Sequence, residues 1–212
     1  MKTNLLFVIG TILLISCEKS DESLNQKTTL NYFPLTTGSY WVYDTYEVDS
    51  SLNETLTIEN DTFTVVGDTV INGKDYKMVC GKDLNSSKKK MRYYSDSSGY
   101  IINELGNVIV QFSNFTDTNY VPIPGWAKEH AYWYYTLNSY EDVLASPYQL
   151  TENVLNYEQT IVSLVVDDFE MQLNSLYAPN IGKIRYQYGY LSELIRDNSY
   201  YEVRLTDYHI AD

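Results

Sequence analysis

The chain has 212 residues with 28 acidic side chains against 15 basic ones. Its formal charge of -13 repels phosphate backbones and argues against nucleic acid as a partner. A hydrophobic fraction of 44% suits one globular domain with a real core. Tyrosine stands out, with 22 residues against 6 Phe and 3 Trp, a composition suited to strands with one wet face or to cavities lined by ring edges.

The chain opens with Lys2, an apolar run from Leu5 to Ile15, then Ser16 and Cys17. A basic residue, a short apolar run and a small residue before a cut predict a secretory signal peptide over residues 1–16. The run is too short for a membrane-spanning helix, which takes roughly 17 to 25 residues. Leu14-Ile15-Ser16-Cys17 resembles the lipobox cut by lipoprotein signal peptidase. That resemblance implies cleavage between Ser16 and Cys17, with a thioether-linked diacylglycerol and a further acyl chain such as palmitate on Cys17. Each buried methylene contributes roughly 0.8 kcal/mol, so two or three chains give lasting attachment to a membrane. Residues 17–30 are polar and predict a disordered tether. Glu18-Lys19-Ser20-Asp21-Glu22 resembles the surface-export signal of Bacteroidetes-type lipoproteins, with Ser20 interrupting the acids. The expected location is the cell envelope, anchored by lipid in the outer membrane, with either face open.

A single β-rich domain is expected over 31–212. It begins at Asn31-Tyr32-Phe33-Pro34-Leu35, followed by Thr37-Gly38-Ser39-Tyr40-Trp41-Val42-Tyr43. Asn72-Gly73 supplies the positive φ angles of a type I′ hairpin between Thr69–Ile71 and Tyr76–Val79. Cys80, the one cysteine besides Cys17, falls in a strand and is expected to be buried and inert. Lys88-Lys89-Lys90 with Arg92 predicts a solvated strand edge. Asp96-Ser97-Ser98-Gly99 and Leu105-Gly106-Asn107 punctuate strands around Arg92–Tyr94, Tyr100–Asn103 and Val108–Phe112. Ile161–Val166 predicts a deeply buried strand because both of its faces are apolar. Ile184, Tyr186, Tyr188 and Tyr190 alternate with Lys183, Arg185, Gln187 and Gly189, as in a half-buried strand. Tyr201, Val203 and Leu205 alternate with Glu202, Arg204 and Thr206 in the same way. The expected fold is all-β, an antiparallel meander forming a curved sheet or half-barrel, with a two-sheet β-sandwich as the alternative.

The opening stretch resembles the "YFPL…G…W-Y" start of an uncharacterised family of Bacteroidetes-type lipoproteins. Residues Val65–Tyr76, Tyr177–Ile184 and Tyr201–His209 extend the likeness over most of the domain. The resemblance implies an extracytoplasmic β-rich domain and carries no catalytic residues to transfer.

Signs of chemistry are sparse. His130 and His209 lie far apart, and no His-Glu-x-x-His, Gly-x-Ser-x-Gly, phosphate-cradling glycine loop or Cys-x-x-Cys occurs. Asp167, Asp168 and Glu170 are close in sequence, but neighbours on a strand face opposite ways, so a solvated turn is expected. No catalytic residue, metal or cofactor is predicted. Trp126, behind Pro124-Gly125, and Trp133 and Tyr135 beyond it are candidate ligand contacts. The alternative has Trp133 and Tyr135 facing the core while Tyr132 and Tyr134 face water. Asp68-Thr69-Val70 resembles a Bacteroidetes-type O-glycosylation acceptor, with Thr69 as the modified residue. The expected function is a membrane-tethered, non-enzymatic binding or accessory module for an apolar or glycan ligand. Alternatives are an assembly component contacting another envelope protein, and a hydrolase built from scattered carboxylates.

Overall fold

A computed structural model describes residues 30–83, 86–97, 99–112, 119–120, 131–140, 153–190, 193–194 and 197–212. Among the described residues twelve strands form one sheet: β1 (Tyr40–Val48), β2 (Glu54–Ile71), β3 (Lys74–Asp83), β4 (Ser86–Ser97), β5 (Tyr100–Asn103), β6 (Val108–Gln111), β7 (Asn119–Tyr120), β8 (Ala131–Tyr140), β9 (Val154–Ser163), β10 (Glu170–Ala178), β11 (Gly182–Tyr188) and β12 (Tyr200–His209). The sheet order is β6-β5-β4-β3-β2-β1-β12-β11-β10-β9-β8-β7. Every neighbouring pair is antiparallel. Two local meanders therefore meet at a central seam, where β1 pairs with β12 along its whole length. One continuous curved sheet replaces the sandwich alternative.

The local signals explain most hairpins. At the β2–β3 turn Asn72 and Gly73 have φ of +52° and +79°, the left-handed pair that a type I′ turn requires. The expected strand Ile161–Val166 is cut short. β9 ends at Ser163, and Leu164, Val165 and Val166 are 56%, 59% and 39% exposed. Ser163 Oγ accepts hydrogen bonds from the Val165 and Val166 backbone N–H groups at 3.1 and 2.9 Å. That local bonding turns the chain before the apolar run can continue as a strand.

The sheet rolls almost into a barrel. Ile101 on β5 and Val110 on β6 share an apolar cluster with Leu137 on β8, Leu155 and Tyr157 on β9, and Tyr177 on β10. These strands belong to opposite halves of the sheet order, so only strong curvature brings them together. The segment before β1 bridges the two halves. Phe33 meets Tyr94 edge-on at 5.5 Å and Tyr177 at 6.4 Å between ring centroids. Tyr32 Oη donates to Asn153 O at 2.8 Å, and Gly38 N–H donates to Val65 O at 2.9 Å.

A polar ladder crosses the seam on the other face. Asn156 Nδ2 donates to Asn174 Oδ1, Gln187 Nε2 donates to Glu202 Oε2, and Arg204 donates to both Glu202 and Glu54. Its charged end fixes β12 to β2 across β1, with Arg204 also lying over the Tyr46 ring at 4.5 Å.

One glycine marks a close approach within the inner face. A Cβ on Gly81 would fall inside contact distance of the Phe63 ring. Phe63 is held in turn by Tyr43, edge-on at 5.7 Å, and by the Arg92 guanidinium, 5.2 Å above its centroid. Gly81→Ala is expected to destabilise the fold by about 2 kcal/mol through overpacking. The check is urea unfolding: a lower midpoint at unchanged slope.

Candidate functional site

The site is built around an irregularity in β11. Leu176 pairs with Arg185, but the next residue of β10, Tyr177, pairs with Lys183. Ile184 is thus an extra residue on β11, a bulge that shifts the side-chain alternation by one place. Simple alternation groups Lys183 with Arg185 and Gln187. The bulge instead brings Lys183 onto the face of Tyr177 and Tyr186, with its Nζ 5.3 and 4.6 Å from their ring centroids.

β1 pins this piece of backbone. Trp41 Nε1–H donates to Ile181 O at 2.6 Å, and Tyr43 Oη donates to Lys183 O at 2.8 Å. Gly182 between them has φ of +102°, and a Cβ there would sit 3.4 Å from Pro34 and from the Trp41 indole nitrogen.

Arg92 enters the same interior from β4, opposite Val79. The basic run was expected on a solvated edge. Lys88, Lys89 and Lys90 are exposed, whereas Arg92 is half-buried and lies against the Phe63 ring. The phase of the ladder explains the difference, because Val79 is a core residue and its cross-strand partner shares its face. Arg92 Nη2 donates to Lys82 O at 2.8 Å, while Nη1 is buried with no hydrogen-bond partner.

Between these groups lies a cavity of about 220 Å³. Phe33, Trp41, Tyr43, Phe63, Tyr94 and Tyr186 supply its aromatic walls, and Arg92 and Lys183 are its charged side chains. Among the described residues no carboxylate, histidine, serine or cysteine lines it. Burial, with the Arg92 charge nearby, pushes the Lys183 ammonium down to about 8. Lys183 is half-buried and is one of the residues that line the cavity. Asp61, buried on β2 outside the lining, has its carboxyl pushed up by burial despite the opposing charges of Lys82 and Arg92. Its Oδ1 has no hydrogen-bond partner, and it forms no ion pair with Arg92 or Lys183. The arrangement can seat an apolar body and neutralise a negative charge; its described lining residues offer no acid–base pair.

Of the residues singled out from sequence, Ser16, Cys17, Trp126 and His130 lie outside the described residues. Trp133 packs against the cluster of Ile161, Leu173 and Leu194, and Tyr135 stacks on Tyr157 with centroids 4.8 Å apart. Neither lines the cavity, and Tyr132, just before Trp133, is 41% exposed. Thr69 is half-buried on β2 opposite Tyr76. Asp167 and Asp168 occupy an exposed turn, and His209 is exposed at the end of β12. Among the described residues no three His, Cys, Asp or Glu side chains gather as a metal site would need. No protein-family model, curated protein or solved structure matches this chain.

Proposed function

We propose that the chain is a lipid-anchored extracytoplasmic binding protein that shelters a small, largely apolar ligand inside its barrel without altering it chemically. The cavity of about 220 Å³ with aromatic walls is the observation that carries this reading. An apolar cavity of roughly 150 Å³ accommodates one benzene ring. By proportion this one takes about nine non-hydrogen atoms. An apolar guest suits the lining better than a glycan. A buried sugar needs a polar partner for nearly every hydroxyl, whereas the charged groups among the described lining residues are Arg92 and Lys183 and the Tyr43 hydroxyl is already engaged by backbone. The anchoring half of the proposal rests on Leu14-Ile15-Ser16-Cys17 and the polar stretch behind it.

Two measurements test the halves separately. Metabolic labelling with palmitate is expected to mark the wild-type chain and to miss Cys17→Ala; equal labelling of both refutes the anchor. Native mass spectrometry of gently extracted protein is expected to show a reproducible extra mass on both forms, beyond any acylation. Bare protein in both, or a protein partner alone, overturns the ligand and favours an assembly role.

A further inference from the structure

We infer that the guest is a monoanion, a carboxylate on a compact apolar body, with its charge seated between Arg92 and Lys183. The inference deepens the apolar-ligand reading and depends on it.

Two cations reach one small cavity from different strands, β4 and β11, and among the described residues no carboxylate lines it. Each is only partly satisfied by the protein. The guanidinium is fixed along one edge by Lys82 O and by the Phe63 face, which leaves buried Nη1 unbonded. The Lys183 ammonium has the faces of Tyr177 and Tyr186 as its partners and forms no ion pair among the described residues. Ring faces offset part of the cost of burying a cation, but a pair of like charges in an aromatic box remains expensive without an anion. For stability alone, apolar residues at both positions would serve better. A carboxylate supplies what both groups lack: negative charge for the ammonium and an acceptor oxygen for Nη1. Asp61 does not fill that role, since it is outside the lining and burial raises its own carboxyl. The cavity leaves room for a few carbons beside the carboxylate, which favours a compact acid over a long-chain one.

The groups facing Lys183 also define a pH window. Burial raises the phenols of Tyr43, Tyr94, Tyr177 and Tyr186, so they stay neutral below pH 10. Asp61, packed near Arg92, has its carboxyl pushed up by burial against the charges of Lys82 and Arg92. Between pH 7 and 9.5 the Lys183 ammonium passes through its folded value of about 8 and loses its charge.

The test is titration calorimetry on the full chain in a zwitterionic detergent, with detergent alone as blank. Two probe pairs of matched shape are used, benzoate with benzamide and octanoate with octanamide. At pH 7 the acid of at least one pair is expected to bind tenfold or more tighter than its amide. Lys183→Met and Arg92→Met are each expected to reduce that preference below threefold. In the wild type, which needs no substitution to fold, the acid's affinity is expected to fall about tenfold by pH 9.5 while the amide's stays constant. Equal binding of acids and amides overturns the anion seat and leaves the apolar-guest reading standing. No binding of any of the four overturns both.

Discussion

Replacing Tyr177 by alanine is expected to destabilise the fold by about 4 kcal/mol, within the range for deleting a buried aromatic side chain. Tyr177 is 1% exposed and stands where three parts of the molecule meet. From β10 it touches Phe112 beyond β6, edge-on at 5.2 Å, and Phe33 of the segment that bridges the sheet halves. It also shares the apolar cluster of Ile101, Val110, Leu137, Leu155 and Tyr157, and its ring covers the Lys183 ammonium. Truncation therefore leaves a void, loosens the contact between the halves and strips a ring from a buried cation. Against a total of roughly 5 to 15 kcal/mol for a domain, that is a large share. Urea unfolding followed by circular dichroism is the check, with Tyr132→Ala at a 41% exposed position as comparison. Equal midpoints for the two variants would show that Tyr177 does not hold the halves together.

The second large effect is a stability profile with opposite slopes on the alkaline side. Burial raises the phenols of Tyr43, Tyr157, Tyr177 and Tyr186 above their ordinary value, and those of Tyr135 and Tyr188 to about 12. Above pH 10 the unfolded chain sheds these protons while the fold keeps them, so the unfolded state binds fewer and stability falls as pH rises. The tyrosine contribution is full below pH 10 and disappears as the pH climbs through the folded values. Lys183 acts in the reverse sense. Its folded value of about 8 lies below the ordinary 10.5, so between these limits the unfolded chain holds more protons and stability rises with pH. The expected curve rises gently from pH 8 to 10 and then drops, each fully buried tyrosine contributing a slope of about 1.4 kcal/mol per pH unit. Lys183→Met should erase the rise and leave the drop. Urea midpoints in half-unit steps, with tyrosinate absorbance recorded alongside, measure both. Complete phenol ionisation near pH 10 in a still-folded protein would refute the account.

The strands were legible wherever one face is wet. The hairpin at Asn72-Gly73 and the alternation of Tyr201, Val203 and Leu205 depend on neighbours along the chain, and the structure has β2–β3 and β12 there. Composition misled at Ile161–Val166, where one serine hydroxyl satisfies two backbone donors and outcompetes strand extension. The site itself was hidden. Alternation assigns Lys183 to the face of Arg185, and only its partner strand reveals the extra residue that turns it inward. Arg92 read as one more member of a basic run, because nothing local says that Val79 lies across from it. The seam between β1 and β12 was equally out of reach, since it joins residues 40–48 to residues 200–209.

That seam also sets an order of events for the growing chain. The other pairings join strands that follow one another and can form as soon as each hairpin has been made. β1 obtains β2 early but keeps one open edge until Tyr200–His209, much further along the chain, is available. The entropy of closing so long a loop grows only logarithmically with its length, so the delay weighs on the rate of folding more than on final stability. In that interval the unpaired edge of β1 is a template for the β12 of another copy, which makes chain concentration during folding a determinant of yield.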